Sequence, residues 1–292
     1  GRYPDPPCIV RCVSSKDRMT NIPDPAAVIE IMRETADAVI LPRFRSIQSG
    51  EIQEKTGPDD LVTIADIESE RRMTPLLRDL LPGSSVVGEE AVADDISVLG
   101  NLTAEAPAWI IDPVDGTRNF TKGSRNFCVM VGLVYRRQPV LGFILDPLGE
   151  RCAFAVRGEG AWMRDYDERD SALSVLAPRP SGEMRGALNF RFLSSPLKEE
   201  MKERAKTGVQ DHFRLGCAGH EYLTLLTGDA HFAMYPKNMP WDHVAGALLH
   251  QEAGGFHARF NKRPYYPDQL DGGLLIAPDE ASWDELREKL WP

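Results

Sequence analysis

The chain has 292 residues, 42% of them hydrophobic, enough for a substantial core in one large domain or two of ordinary size. A formal net charge of −10 sets most of the surface against the phosphates of nucleic acid, so no nucleic-acid partner is expected. No apolar run reaches membrane-span length, no secretory signal pattern opens the chain, and the five cysteines (Cys8, Cys12, Cys128, Cys152, Cys217) lack Cys-x-x-Cys spacing; membrane insertion, a disulfide framework and a zinc ribbon are disfavoured, and a reducing cytoplasm is the expected location.

Residues 1–18 carry Pro4, Pro6 and Pro7 among scattered charges and read as an irregular leader, with Met19 as an alternative start. Asp24 then caps and Pro25 opens an amphipathic helix on which Val28, Ile31, Met32, Val39 and Ile40 recur at helical spacing to about Ser46, with Pro42 kinking or ending it. A second helix is expected from about Ile67 to Leu81, stopped by Pro82-Gly83, with Asp66 as its N-cap. Ser84 to Gly88 is a short β-branched run ending at Glu89 and Glu90.

Trp109-Ile110-Ile111 is a buried strand that Pro113 should break at Asp112, because the residue before a proline is kept out of the helical region. Asp112 and Asp115 then leave the strand end together, near enough to share a pair of hard cations. Gly116 permits close backbone approach, and a helical turn from Thr117 would aim free N–H groups at an anion such as phosphate. Taken alone, Asp-x-x-Asp-Gly is also explained by an ordinary turn.

Phe127 to Tyr135, Val140 to Asp146, Arg151 to Val156 and Ala161 to Arg164 read as an antiparallel meander. Cys128 and Cys152 sit in its apolar runs as small core residues. Beyond Ser171 strands and helices alternate: a strand near Gly186 to Phe190, helices from Pro196 and after Ala218, a strand from His231 to Tyr235, a helix from Trp241, a strand at Leu274 to Ile276 and a helix from Ser282 to Leu290. His243 and His250 on the Trp241 helix read as structural or supporting residues. The pattern implies three parts: the leader at 1–18, an α+β domain at 19–168, and an α/β domain at 169–292.

Four segments, Lys55 through Asp66, Gly88-Glu89-Glu90, Trp109 through Phe120, and Trp241 through Gly246 with Glu252-Ala253-Gly254-Gly255, together resemble the inositol monophosphatase family of magnesium-dependent, lithium-sensitive phosphatases. The resemblance implies a stacked αβαβα sandwich, like that of fructose-1,6-bisphosphatase, and a homodimer. It also implies hydrolysis of a small phosphorylated metabolite with two or three Mg²⁺ ions.

Carried over by position, Glu89, Asp112 and the Val114 carbonyl would hold one metal, and Asp112, Asp115 and Asp242 the second, with Asp112 bridging. Thr117, leaning on Asp66, would orient the attacking water on the metal held by Glu89. Gly116 and Thr117 N–H groups would bind phosphate, with Ala218, Tyr235 and Asp242 on the substrate side. Lys55, Glu90, His220 and Lys237 are further candidates; Lys55 is as often just solvated and Glu90 equally explained as a surface residue. Relatives preferring inositol commonly carry a glutamate where this chain has Tyr235, and Lys237 would favour a second negative group. Histidinol phosphate and 3′(2′),5′-bisphosphate nucleotides are therefore alternative substrates, and a non-catalytic binding role is a further alternative.

Overall fold

Asp24 starts the first helix as its sequence requires. Its carboxylate accepts the Ala26 N–H at 2.9 Å, Pro25 takes the first helical position, and α1 runs Pro25–Thr35. The computed structural model describes Met19, residues 21–57 and residues 60–292, except the side chains of residues 49, 55–57 and 60. The expected leader at 1–18 and the side chain of Lys55 lie outside the described residues. After α1 the chain widens into a π-helical stretch, Ala36–Ile40, and ends in a 3₁₀ turn, Leu41–Arg43. The wider turn carries the backbone past Pro42, whose ring would otherwise press on the carbonyl four residues back.

A hairpin of β1 (Ile52–Gly57) and β2 (Asp60–Thr63) leads into α2 (Ile64–Leu80). The N-cap is Thr63 rather than Asp66. Thr63 is the last extended residue and its hydroxyl accepts the Ala65 N–H at 3.1 Å, while Asp66, three positions on, closes a capping box by accepting the Thr63 N–H at 2.8 Å.

Next come β3 (Ser85–Gly88), α3 (Glu89–Asp94) and β4 (Ala108–Asp115). The expected break of β4 at Asp112 does not occur; the strand passes through Pro113. β3 ends at Gly88, opposite Ile111, so Pro113 needs no ladder bond on that flank. On the other flank the register slips between Asp112 and Asp115 as a bulge.

After α4 (Thr117–Thr121), the meander is β5 (Cys128–Tyr135), β6 (Gln138–Asp146), β7 (Arg151–Val156), β8 (Gly160–Asp165) and β9 (Asp170–Ala172). Among the described residues these form a seven-stranded sheet in sequence order from β3 to β9, parallel only between β3 and β4. The remaining elements are β10 (Arg185–Leu188), α5 (Ser195–Gly208), β11 (Asp211–Phe213), α6 (Ala218–Leu226), β12 (Phe232–Tyr235), α7 (Pro240–Glu252), β13 (Phe256–Ala258), β14 (Leu274–Ala277) and α8 (Glu280–Leu290). Their strands make a five-stranded sheet, β11-β10-β12-β14-β13.

Three apolar clusters glue five layers. Ile29, Met32, Met73 and Leu77 of α1 and α2 meet Trp109, Val131 and Phe143 of the large sheet. Met130 and Ile144 on its other face meet Tyr222, Leu225 and Leu248 of α6 and α7, which also cover Ala233 and Ile276 of the small sheet. Phe232 and Leu275 then pack against Met201, Trp283 and Leu286 of α5 and α8. The order is α1/α2, large sheet, α6/α7, small sheet, α5/α8, which is the αβαβα sandwich expected. Among the described residues no helix is long and apolar enough to cross a membrane.

Candidate active site

Several strand and helix ends meet at one cleft. The end of β3 hands Glu89 to the first position of α3, the bulged end of β4 carries Asp112 and Asp115, and the first turn of α7 carries Asp242. These residues, with Val114, Gly116, Thr117 and Ala218, line a cleft of about 1330 Å³.

Carboxylate oxygens of Asp112, Asp115 and Asp242 lie within 4.8 Å of one another. Asp112 is 2% exposed and its Oδ1 has no hydrogen-bond partner. Burial first, then Glu89, Asp115, Asp242 and Asp66, pushes its carboxyl well above the usual range. Asp242 keeps some access to the cleft but sits deep in the fold. Burial raises it as well, followed by Asp115, Glu89 and Glu221, with Arg191 opposing. Such carboxylates repel one another until a cation joins them, and an all-oxygen donor set with an orphaned buried oxygen suits a hard ion such as Mg²⁺.

Thr117 Oγ1 lies 3.1 Å from Asp66 Oδ1 and 3.0 Å from the Val114 carbonyl, so its single proton has two acceptors in reach. Asp66 is fully buried, and its other oxygen accepts the Thr63 N–H and hydroxyl at 2.8 and 2.6 Å, which fixes the carboxylate. Gly116, at φ 84°, turns the chain from β4 into α4, and a Cβ there would stand 2.7 Å from the Asn126 carbonyl.

Ala218 lines the cleft at the start of α6. Tyr235 also lines it but is 3% exposed, stacked at 5.9 Å on Tyr222 and 4.6 Å from His243. His243 Nδ1 meets the Tyr222 hydroxyl at 3.1 Å and Nε2 the Lys237 carbonyl at 3.0 Å; burial lowers its pKa to about 4, so it is a neutral supporting ring. His220 stands outside the cleft lining, with Nε2 3.0 Å from the Phe127 carbonyl. Glu221, in the first turn of α6, accepts the Leu215 and Gly216 N–H groups on Oε1 at 2.8 and 3.3 Å. Glu90 and Lys237 both line the cleft.

Sequence reasoning gives Glu70, like Glu68, only the positive end of the second helix to serve and no part in the site. Glu70 is 6% exposed and accepts the Glu90 and Ala91 N–H groups at 2.9 and 2.8 Å, so it caps α3 from α2. The available signal was an acidic residue four positions after Asp66, on the same helix face. Arg191, Phe192 and Arg214, which also line the cleft, were missed as well. Phe192 is 49% exposed, with Arg191 Cζ and Lys237 Nζ 5.1 and 5.0 Å from its ring centre.

The model of the Inositol monophosphatase family matches residues 24–291. The Inositol-1-monophosphatase of Bacillus subtilis (strain 168) is 30% identical over 218 residues, 73% of this chain and 78% of that protein. The Nus factor SuhB of Pasteurella multocida (strain Pm70) is 30% identical over 244 residues, 80% of this chain and 84% of that protein. Among solved structures, the extragenic suppressor protein suhB from Bartonella henselae superposes with TM-score 0.76 at 23% identity, covering 90% of this chain and 98% of that one.

Proposed function

The chain belongs to the inositol monophosphatase family and is by that membership a phosphatase; from this premise we propose that it is a Mg²⁺-dependent hydrolase of small phosphate monoesters. The supporting observation is the convergence of Asp112, Asp115 and Asp242 within 4.8 Å beside the Thr117–Asp66 pair.

Glu89, Asp112 and the Val114 carbonyl would hold one ion, and Asp112, Asp115 and Asp242 would hold the other. Magnesium bound there supplies Lewis acidity toward the phosphoryl and leaving oxygens and a nucleophile at neutral pH. The Thr117 hydroxyl donates its hydrogen bond to Asp66 Oδ1. Thr117 Oγ1 is then left as an acceptor that orients the attacking water, with Asp66 as the place for the displaced proton. The N–H groups of Gly116 and Thr117, at the start of α4, receive the phosphate oxygens.

Inositol phosphate is the reference substrate of the family. A second reading, a substrate with a further anionic group such as a bisphosphate nucleotide, is favoured by Arg191 and Lys237 over the exposed Phe192 ring and by Arg214, all lining the cleft. The test is phosphate release from inositol 1-phosphate, histidinol phosphate and 3′-phosphoadenosine 5′-phosphate, with Mg²⁺ and with or without Li⁺. Release blocked by Li⁺ is the expected result; no release from any of them favours a binding role.

A further inference from the structure

We propose that Asp115, Cys128 and Cys217 form a binding site for a thiophilic divalent cation, of the zinc or cadmium type, behind the carboxylate cluster. Cys128 opens β5 and is the cross-strand partner of Asp115, while Cys217 is the N-cap of α6 from the other half of the chain. Their sulfurs stand 3.7 Å apart, and Asp115 Oδ2 lies 3.1 Å from Cys217 Sγ and 3.7 Å from Cys128 Sγ.

A tetrahedral zinc with bonds of roughly 2.3 Å to sulfur and 2.0–2.2 Å to oxygen holds neighbouring ligands about 3.5–3.8 Å apart. The three donor atoms already stand near those separations. The Gly219 N–H, 2.6 Å from Asp115 Oδ2, keeps the carboxylate turned onto the sulfurs. Two thiols and one carboxylate suit zinc or cadmium and not magnesium, so this donor set is chemically distinct from the oxygen-only cluster.

Cys217 lines the cleft, which gives an ion a way in, and Cys128 lies behind it. Cys152, the other cysteine among the described residues, is fully buried with its sulfur 3.6 Å from the Ala153 carbonyl, and has no part in the group. On binding, each thiol gives its proton to solvent as its sulfur bonds the ion, with no change of oxidation state. The ion competes for the Asp115 carboxylate, which both donor groups share. Inhibition of turnover, the only part that rests on the proposed function, follows from that sharing.

The test is a Co²⁺ titration of the reduced full-length chain, read as the near-ultraviolet thiolate-to-cobalt charge-transfer band, with zinc added afterwards to displace the cobalt. The wild type should give a band saturating near one equivalent. Cys128→Ala combined with Cys217→Ser should abolish it, and Cys152→Ser should leave it intact. Serine keeps a capping oxygen on α6, so Cys217→Ser alone serves if the double variant does not fold; it should weaken cobalt binding about 10- to 100-fold. Zinc should inhibit Mg²⁺-dependent turnover of the wild type at concentrations that leave the double variant active. A wild type without the band, or a band unchanged by the Cys217 and Cys128 substitutions, overturns the proposal, as does a Cys128–Cys217 disulfide found by mass spectrometry as the sole product. The cobalt band appears even if the protein hydrolyses none of the phosphoesters tested, so failure of the two readings is separable.

Discussion

Glu70 and Glu90 are joined through the main chain: the Glu70 Oε2 accepts the Glu90 N–H at 2.9 Å, and Oε1 takes the next N–H, of Ala91, at 2.8 Å. The pair anchors the start of α3, where Glu89 is the first residue, to the second turn of α2. The approach is so close that a Cβ on Gly88 would stand 2.2 Å from the Glu70 carboxyl carbon. Glu70→Gln should cost about 1–3 kcal/mol of stability, because one of the two N–H groups then faces an amide donor. It should also raise the Mg²⁺ concentration needed for half-maximal phosphate release. Denaturant unfolding and a Mg²⁺ titration of turnover check both parts.

Thr117→Ala removes a hydroxyl that touches Asp66 and the Val114 carbonyl but caps nothing. It should lower kcat about 10²- to 10⁴-fold with little change in melting temperature. Asp66→Asn should lower kcat similarly and also cost about 1 kcal/mol, because Asp66 closes the capping box of α2. Steady-state kinetics beside thermal melts separate the two: equal melting losses in both variants would contradict the assignment.

Removing the metal should make stability depend on pH through Asp112 and Asp242. Both are raised well above 3.8 in the folded protein, chiefly by burial, so the folded state holds protons that the unfolded chain has released. Without metal, stability therefore falls as pH climbs from 3.8 through the raised folded values, and stays low above them. Mg²⁺ bound there would take the place of those protons. The increase in melting temperature that Mg²⁺ gives over EDTA should be large at neutral pH and shrink on acidification; an increase independent of pH contradicts the cluster.

Buried histidines act in the opposite sense. Burial lowers His243 to about 4, His250 to about 3 and His257 to about 4, against 6.5 when unperturbed. Their contribution is complete above pH 6.5 and is lost as pH falls toward the folded values, by about 1.4 kcal/mol per pH unit for each histidine. His250 is fully buried with neither ring nitrogen bonded. His250→Leu should flatten the decline in stability between pH 6.5 and 4 by about one proton, measured by urea unfolding across that range.

The long elements and the acid-bearing strand ends were legible because their signals are local: Asp24-Pro25 for α1, the β-branched run before Glu89, and the apolar runs of the meander separated by polar, Pro or Gly turns. What escaped depends on partners distant in sequence. Pro113 reads as a strand break until β3 is seen to stop at Gly88, which frees that flank of β4. Asp66 reads as an N-cap because it precedes an apolar run, but Thr63, the last extended residue, takes that position and leaves Asp66 facing Thr117. β11 and β13, of three residues each, are too short to show alternation and exist through their neighbours β10 and β14. Cys128 and Cys217 are 89 residues apart, and only the packing of α6 on β5 brings them beside Asp115.

The most direct test of the central claim is phosphate release from the phosphoester panel by wild type and Asp112→Asn, each in Mg²⁺ and in EDTA, with calorimetric Mg²⁺ titration of the same samples. The account predicts Mg²⁺-dependent release and Mg²⁺ uptake by the wild type, and loss of both in an Asp112→Asn protein that still melts cooperatively. Asp112→Asn turning over at the wild-type rate, or wild-type release undiminished by EDTA, would contradict it.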